Sequence, residues 1–587
     1  MQTPMKKFLS KSWPWGLTLA FGVAVWLFWA VAYPHALAFR EQFQLFLFDS
    51  DYFSGRMAQP GGLARWVAEF LTQFFNNKFF GATVIALLLM MIQRQTWLVF
   101  KGLNKSWVLY PFSFIPAIML WYAMGDEMLL LAFAVALLLV LIVCWAIEKA
   151  NLVVAVVVAV IGMPLLYWFV GPLALMTAVF MAFVLPLKKR SRLAFFGTGV
   201  LAVVMVVLSI VISSHLLPYP IQQLWIGLGY YRLPLTLPLM MLAIPVVVLV
   251  LAVICIAVGG SKHKESAHSV ITGALTLGVA ALCVILVPNG FDAKKYEIID
   301  YDYLVRTGQW KKVIQKAEQQ QPDLPMSVAA TNLALAMENQ LGERAFQFYQ
   351  RGTQGLIPPF ERNYATTMLT GEVFFRLGLV NTAQRYAFEA MEANPNYEKS
   401  ARAIKRLAET NLINGQYEVA RKYLHLLEKT LFYRKWAQKT LTLISSEAQI
   451  DAHPLYGYLR KVRLTDELLF SDREIDKFCG KLFLQNQQNT IAMQYLLMWP
   501  LLQRDVALFM NYVGVVQEHV QYNPLHVQEG ICYAFGQQRT RPPRNLVSDA
   551  MTNRFVEFVQ AYNGGNQDPV RMQAFKNTVW YYLVNEQ

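Results

Sequence analysis

Acidic side chains are scarce in the first half of this 587-residue chain. Residues 1–289 contain eight Asp and Glu against eighteen Lys and Arg, whereas the remainder contains thirty acidic and thirty-four basic side chains. Over the whole chain only 15% of the residues are charged and 56% are apolar, which excludes an ordinary soluble protein. The change near residue 290 predicts two parts, a membrane part over 1–289 and a water-exposed part from 290 onward.

Sequence motifs of several catalytic and metal-binding classes are missing. The chain has no CxxC pair, HExxH helix, glycine-rich phosphate loop or GxSxG element, so we expect no dedicated zinc site. Cys144, Cys255 and Cys283 lie in apolar runs, and the spacing leaves open whether Cys479 and Cys532 form a disulfide. The net charge of +14 indicates contact with anionic membrane lipids rather than nucleic acid.

Long apolar runs in residues 1–289 predict membrane spans, because a helix needs about 20 apolar residues to cross a bilayer. We expect nine spans, at roughly 14–36, 80–99, 108–124, 128–147, 152–170, 172–187, 193–213, 235–258 and 268–288. Nine spans place every basic cluster on one side, which predicts a cytoplasmic amino terminus and an outer carboxyl-terminal part. These clusters contain Lys6, Lys7, Lys11, Lys101, Lys105, Lys149, Lys188, Lys189, Arg190, Arg192, Lys262 and Lys264. The loops 37–79 and 214–234 would then face the outer side.

The second part contains a repeat marked by glycine. Gly308, Gly342, Gly378 and Gly415 are 34, 36 and 37 residues apart, and each is expected to end a helix. This period is similar to that of tetratricopeptide repeats, whose helix pairs stack into a solenoid. We expect repeats over 290–430, with Pro395 at a break between them, and divergent repeats or a helical cap over 431–587. The chain is therefore predicted to be all-α throughout.

The stretch FREQFQLFLFDSDYFSGR (39–56) places three of the scarce acids, Glu41, Asp49 and Asp51, among aromatic residues. After it, GGLARWVAEFLTQFF (61–75) predicts an amphipathic helix lying at the membrane interface, with Arg65 and Glu69 off its apolar face. A companion helix over 37–48 would leave Asp49 and Asp51 in the turn between the two helices. The two carboxylates point the same way if that turn is extended.

Two resemblances add to this reading. The phrases TGQWKKVIQKAE, LGLVNTAQRYAFEAME and RLAETNLINGQYEVARKYL resemble an uncharacterised family of multi-pass membrane proteins of Bacteroidota, along the length of the chain. That resemblance implies a bacterial inner membrane and a periplasmic repeat domain, and it brings no activity. The layout of first span, acidic outer loop with interfacial helices, and soluble outer domain resembles the GT-C superfamily of glycosyltransferases. It implies a sugar donor linked to polyprenyl phosphate and a protein or glycan acceptor.

Such a transfer needs a carboxylate that takes the acceptor proton or holds a divalent cation such as Mg²⁺ or Mn²⁺. We expect Asp49, Asp51 or Glu41 to supply it, with Asp49 and Asp51 as the ligands of any metal. A hydrophobic setting would raise the pKa of such a carboxylate toward that of a useful base. Cationic and polar groups would bind the phosphate and the sugar or lipid head group. The candidates are Arg40, Arg56, Arg65, His215, Tyr230, Tyr231 and Arg232.

Several of these residues also have a plainer interpretation. Aromatic residues beside a span, such as Tyr230 and Tyr231, are ordinary interface anchors. Glu41 could pair with Arg40 or Lys78 at the surface. Two hypotheses follow, a GT-C-like transferase, which the layout favours, and a non-catalytic membrane-anchored repeat scaffold for envelope assembly or secretion. The transferase predicts a cavity under the 37–79 loop with Asp49 or Asp51 at its wall, whereas the scaffold predicts a filled membrane part and a groove on the repeats.

Overall fold

The structure is a computed structural model that describes residues 4–189, 191–232, 238–258, 265–361, 364–394, 399–465, 471, 473–563 and 572–585. For residues 4–11, 265–269 and 364–365 it describes the backbone alone. Arg190, Lys262, Lys264 and Pro395, which entered the sequence interpretation, lie outside the described residues. The described part is helical and contains no strand, apart from isolated bridges at Leu129–Tyr231 and Arg351–Thr353. The all-α prediction is confirmed for these residues.

The chain divides into two compact units. The first comprises Met1–Tyr296 together with two short segments, Pro395–Ala401 and Lys429–Phe432. The second comprises Glu297–Asn394, Arg402–Glu428 and Tyr433–Gln587. Each unit has its own helices and its own buried core.

The first unit consists of helices that are joined by short turns. Asn77 and Asn151 begin two of them as N-caps, because their side-chain oxygens accept hydrogen bonds from the otherwise unpaired N–H groups of the first turn. The helices are α1 (Pro4–Leu27), α2 (Ala36–Glu41), α3 (Ser50–Met57), α4 (Gly62–Thr72), α5 (Lys78–Leu103), α6 (Ile115–Ala123), α7 (Leu131–Glu148), α8 (Leu152–Val157), α9 (Met163–Val170), α10 (Ala174–Val179), α11 (Leu185–Lys188), α12 (Arg192–Leu216), α13 (Ile221–Ile226), α14 (Leu239–Val258) and α15 (Glu265–Leu286).

Seven helices of the first unit are long and apolar enough to cross a membrane. They are Ser12–Ala32, Lys78–Leu103, Leu131–Glu148, Leu152–Val170, Arg192–Leu216, Leu239–Val258 and Val270–Gly290. They confirm seven of the nine predicted spans. The other two, 108–124 and 172–187, coincide with shorter apolar helices, Trp107–Ala123 and Ala174–Lys188. The first of these begins as a 3₁₀-helix through Pro111, so it rises further per residue than an α-helix.

The carboxyl ends of four helices in the first unit lie together. The ammonium of Lys188, at the end of α11, donates to the carbonyl of Gly102 in α5 and pairs with Glu148 at the end of α7. Asn104, just after α5, donates a hydrogen bond of 2.8 Å to the carbonyl of Cys255 near the end of α14. The end of the shorter helix Ala174–Lys188 therefore lies at the same face as the ends of the long helices α5, α7 and α14.

Several other helix ends and loops contact one another at a second face. Arg40, which follows the first span, donates to the carbonyl of Met124 after α6. Tyr230, before α14, donates to the carbonyl of Val170 at the end of α9. The hydroxyl of Tyr296, after the last span, donates a hydrogen bond of 3.0 Å to the carbonyl of Gly125. This face holds all the predicted site residues that belong to loops.

From residue 293 onward the chain forms a succession of helices in which neighbours pack on each other, for example α17 on α18, α20 on α21 and α23 on α24. They are α16 (Ala293–Arg306), α17 (Trp310–Gln319), α18 (Pro325–Met337), α19 (Leu341–Arg344), α20 (Tyr364–Leu377), α21 (Val380–Ala393), α22 (Ala401–Ile413), α23 (Tyr417–Glu428), α24 (Arg434–Ile444), α25 (Glu447–Ala452), α26 (Tyr456–Val462), α27 (Ile475–Gln485), α28 (Thr490–Gln503), α29 (Val506–Gln517), α30 (Leu525–Gln537), α31 (Asp549–Asn563) and α32 (Val579–Val584).

Three of the four repeat glycines end helices as expected. Gly308, Gly378 and Gly415 have φ values of 68°, 95° and 78°, the left-handed conformation that terminates a helix at little cost only in glycine. The expectation is wrong for Gly342, which lies inside α19. At that place Asn339, with φ of 56°, takes the left-handed position after α18.

Buried charges stabilise the core of the second unit. The carboxylate of Glu372 is held by Arg376 at 2.9 Å and also by Arg406. Burial alone would raise the pKa of Glu372, but Arg406, Arg376 and Arg402 outweigh it and keep the pKa below its ordinary value. Arg402 in turn binds both carboxylate oxygens of Asp302 at 2.8 Å. The charges are therefore paired where water is excluded.

Candidate functional site

Asp49 caps a helix and forms an ion pair. Its Oδ1 accepts a hydrogen bond of 2.9 Å from the backbone N–H of Asp51 at the start of α3. Its Oδ2 pairs with the ammonium of Lys429, in a segment that belongs to the same unit. The side-chain hydrogen bond from Lys429, and then the Asp51 N–H, hold the pKa of Asp49 below its ordinary 3.8. The expected upward shift of the pKa is therefore wrong for Asp49, whose carboxylate is a weak base.

The two carboxylates would point the same way only if their turn were extended, and this condition is not met. Helix α3 begins at Ser50, so Asp51 lies in its first turn, where it is exposed. The alternation of side chains along an extended strand therefore does not relate the two carboxylates. The companion helix expected over 37–48 is present as α2 only up to Glu41.

Helix α4 confirms the predicted amphipathic helix, but its polar face is the buried one. Arg65, Glu69 and Thr72 are buried, whereas Leu63 and Val67 are partly exposed. The polar face packs against α7 and α9. In a membrane protein this arrangement turns the apolar side chains toward lipid and reserves the polar ones for contacts within the protein.

A buried carboxylate lies at the centre of this polar face. Glu69 accepts hydrogen bonds from Arg56 Nε at 2.8 Å, from Arg65 Nε at 2.9 Å and from the hydroxyl of Tyr52. Arg56 also donates to the Tyr52 oxygen at 3.2 Å, and Arg65 to Gln59 at 3.3 Å. Burial, with the charge of Glu69 second, raises the pKa of Tyr52 far above its usual value, so the hydroxyl remains a donor. We call Tyr52, Arg56, Arg65 and Glu69 the Glu69 cluster.

Close backbone packing holds the Glu69 cluster against the spans. Gly61, before α4, has φ of 79°, and a β-carbon there would lie 3.5 Å from the backbone of Gly171. The Gly61 N–H donates to the carbonyl of Trp168 at 2.8 Å, and the Trp168 indole donates to the carbonyl of Met57 at 2.8 Å. The turn between α3 and α4 is therefore fixed to α9 on both sides.

Two of the predicted phosphate-binding residues, Arg40 and Arg232, line one recess. Arg40 is buried and its guanidinium donates to the carbonyls of Met124 and Asp126, the latter at 3.2 Å. Arg232 is buried and donates to the carbonyl of Phe43 at 3.4 Å. Each guanidinium thus connects separate loops of the same face.

This recess under the 37–79 loop is small. Gln44, Thr72 and Glu127 line it beside the two arginines, and its volume of about 10 Å³ is room for roughly one water molecule. Neither Asp49 nor Asp51 belongs to its wall. Glu127 also pairs with Lys295 at 2.7 Å, so both signs of charge are present there.

The remaining predicted site residues are dispersed. Glu41 is buried in α2, and His215 is exposed in the last turn of α12. Tyr230 and Tyr231 are buried, and the Tyr231 hydroxyl donates to Asp126 at 2.7 Å. Among the described residues no group of three His, Cys, Asp or Glu side chains could hold a metal ion. Sequence reasoning had proposed Asp49 and Asp51 for that role.

The second unit contains a larger polar cavity. Its volume is about 590 Å³, and it opens to solvent between the 349–354 loop, the end of α28 and α32. Its wall includes Tyr349, Arg351, Gln354, Arg504 and Tyr582. We call it the Arg351 cavity. Cys479 and Cys532, elsewhere in this unit, are both free thiols, so the disulfide left open by the sequence is not formed.

Sequence reasoning missed the central residue of the first-unit cluster and the whole Arg351 cavity. Glu69 follows Arg65 by four residues, a spacing typical of an ion pair on one helix face. Ala64 and Ala68 share that face, and small residues there indicate close packing. The Arg351 cavity brings together segments that are far apart in the chain, and no local pattern marks it.

The helices define the class of the protein. It is a multi-pass membrane protein, with seven helices that can cross a membrane in about the first 290 residues and a helical region after them. The chain belongs to a family of unknown function (DUF6057), whose model matches residues 11–586. No curated protein and no solved structure matches the chain.

Proposed function

We propose that this protein is a non-catalytic membrane-anchored scaffold for envelope assembly or secretion. Its first unit would span a bacterial inner membrane, and its helical second unit, as a tetratricopeptide-like solenoid on the periplasmic side, would bind a partner. The observation that carries this proposal is the difference in open volume. The recess under the outer loop has room for one water molecule, whereas the Arg351 cavity measures about 590 Å³.

The positions and contacts of Asp49 and Asp51 support the same proposal. Asp49 is paired with Lys429 and Asp51 is exposed on a helix, and neither carboxylate lines the recess under the 37–79 loop. A general base has to lie within hydrogen-bond reach of the proton that it removes. A scaffold does not require a carboxylate within reach of a substrate proton. The role of Asp49 in a scaffold would be to cap helix α3.

Nine spans remain our proposal for the topology. If Trp107–Ala123 and Ala174–Lys188 did not cross, Lys149 would lie on the opposite side from Lys101, against the usual cytoplasmic bias of basic residues. The contacts of Lys188 with Gly102 and Glu148 support a common face for these ends. An odd number of spans puts the amino terminus and the second unit on opposite sides, and the bias of basic clusters toward the cytoplasm then puts the amino terminus inside and the second unit in the periplasm.

A complementation experiment tests the scaffold. A strain that lacks the gene receives the full chain carrying Asp49→Asn and Asp51→Asn, and periplasmic and surface glycoconjugates are measured with protein levels checked. We expect full restoration. The positive control is Trp580→Ala, which removes a fully buried ring from the second unit and should abolish restoration. The scaffold is wrong if Trp580→Ala still restores the phenotype while proteolysis shows its second unit to be unfolded.

The second candidate is a GT-C-like glycosyltransferase that uses a polyprenyl-phosphate-linked sugar and a protein or glycan acceptor. The Glu69 cluster favours it, because a carboxylate and two arginines meet on an interfacial helix of the outer face. Arg40 and Arg232 add two buried cations on that face. The same complementation decides between the candidates. Loss of one glycan in Asp49→Asn or Asp51→Asn, with normal protein levels, would support the transferase.

A further inference from the structure

We propose that the Arg351 cavity binds the carboxylate groups of an acidic peptide segment of the partner. The inference rests on the proposed scaffold function and names the ligand class of its second unit. The wall carries two guanidinium groups, from Arg351 and Arg504, and no acidic side chain lines it among the described residues. Guanidinium groups bind carboxylates through paired N–H donors, so an uncompensated pair of arginines selects an anion.

Arg351 is the cation open to a ligand. Its side chain is exposed at the wall, and it makes no ion pair within the described part of the chain. Its neighbour Gln350 is buried and fully used inside the unit, since its amide bonds to Asn332 and to the carbonyl of Ala345. The hydrogen bonds of Gln350 therefore fix the position of the loop that carries Arg351.

Arg504 is held in place for binding. It follows α28 in the left-handed conformation, with φ of 62°, and its Nη2 donates to the carbonyl of Asn585 at 2.7 Å. Its guanidinium also lies 5.1 Å from the ring centre of Tyr582, whose hydroxyl donates to the carbonyl of Leu502 at 2.9 Å. An arginine that is fixed before binding loses less side-chain entropy when a carboxylate arrives.

The size of the cavity favours a peptide over a single small anion. Sites for ligands of moderate size have volumes of roughly 300–1,000 Å³. The cavity, at about 590 Å³, lies in this range. The exposed amide of Gln354 can donate and accept, as contacts with a peptide main chain require. Of the two tyrosines in the wall, Tyr582 is buried and Tyr349 is exposed, so one ring is open for contact with an apolar side chain of the peptide.

The test uses the full-length protein in lipid nanodiscs and fluorescence anisotropy. The labelled probe is the hexapeptide Gly-Ser-Glu-Phe-Glu-Glu with a free carboxyl terminus, compared with the same peptide carrying Gln for Glu and an amidated terminus. The variants are Arg351→Gln, Arg351→Lys and a control, Arg539→Gln, which changes another exposed arginine of the unit outside the cavity. Thermal unfolding verifies that each variant is folded.

We expect the acidic peptide to bind and its neutral form to bind at least tenfold more weakly, because hydrogen bonds to charged groups are the strong ones. Arg351→Gln should weaken binding about tenfold, Arg351→Lys less, and Arg539→Gln not at all. Equal binding of both peptides, or equal effects of Arg351→Gln and Arg539→Gln, overturns the inference. Binding of a labelled oligogalacturonate without binding of the acidic peptide also overturns it, in favour of an acidic glycan.

The failure of this inference can be told apart from failure of the proposed function. If Arg351→Gln restores the cellular phenotype while Trp580→Ala does not, the second unit works through another surface and only the peptide site is wrong. If Trp580→Ala also restores it with an unfolded second unit, the scaffold itself is wrong.

Discussion

The substitution Glu69→Gln should destabilise the membrane unit because it removes the charge on which two arginines converge. Glu69 is almost completely buried, with a side-chain exposure of 4%, and Arg65 and Arg56 are exposed by only 10% and 20%. Glutamine has nearly the same shape, so it tests the charge without opening a cavity. The substitution also replaces one carboxylate oxygen of Glu69, which accepts hydrogen bonds, with an NH₂ group. This group donates hydrogen bonds and would face N–H and O–H groups of the cluster that also donate.

The size of the effect follows from these contacts. Removing one partner of a buried ion pair costs about 3–5 kcal/mol, because the other charge stays buried without compensation. Water reaches the partly exposed Arg56 and lowers that cost, so we expect a loss of about 3 kcal/mol in the free energy of unfolding. In a double-mutant cycle with Arg65→Met, the combined loss should be smaller than the sum of the single losses by about 1 kcal/mol or more.

Buried thiols give an assay that reports on this unit alone. In a background with Cys283→Ala, Cys479→Ala and Cys532→Ala, the remaining thiols are the buried Cys144 and Cys255, both within the membrane unit. Their reaction with a fluorogenic maleimide during heating follows the unfolding of that unit. Glu69→Gln should shift the transition down by at least about 5 °C.

Asp51→Asn is the matched control, because it neutralises an exposed carboxylate of the same unit. Its transition should stay at the position found for the unchanged protein. If Glu69→Gln also unfolds at the transition temperature of the unchanged protein, the charge of the carboxylate is not stabilising and the buried cluster has been interpreted incorrectly.

Four further predictions concern three other sites. Arg406→Met should destabilise the second unit by about 2 kcal/mol, because it removes one donor from a charged acceptor, and calorimetry checks this. The folded-state pKa of Glu372 is lowered, so its contribution to stability is full above its ordinary pKa of 4.5 and is lost as the pH falls through the folded value, which denaturation at several pH values measures. Gly61→Ala should cost about 1–2 kcal/mol in thermal unfolding, since φ is 79° there, whereas Gly55→Ala, with open space around the added carbon, should not destabilise the protein. Asp49→Asn should leave the melting temperature almost unchanged, because the lysine of its ion pair is half exposed and asparagine also caps a helix, and a clear shift would refute that view.

The helical elements could largely be predicted because their physical cause is local. A run such as 128–147 contains enough apolar residues to specify a span, and α7 lies there at Leu131–Glu148. Lengths were harder to predict where proline or glycine changes the helix type. Pro111 lies in a 3₁₀ segment, and Gly171 ends α9 with φ of 84°. Such residues shorten an apolar helix without changing its composition.

The site was less predictable because its causes are not local. The partner of Asp49 is Lys429, 380 residues away, and nothing in the sequence near either residue indicates the other. A local signal was available for Asp49 itself, because an aspartate before a helix is a favoured N-cap. For Glu69 the error lay in treating the polar face of α4 as the face exposed to water. The rule that the polar face of a helix is exposed holds for helices that pack on the core of a soluble protein.

The buried polar face of α4 has a consequence for the order in which the protein is made. Arg65 and Glu69 are not stable when they face hydrocarbon, so α4 needs a protein surface that covers its polar face. That surface comes from α7 and α9, which leave the ribosome about 60 to 100 residues later. The loop after the first span must therefore stay at the membrane surface during synthesis. It packs in its final position only after these later helices have been inserted. Maturation of this face is a late event, although its residues are among the earliest to be translated.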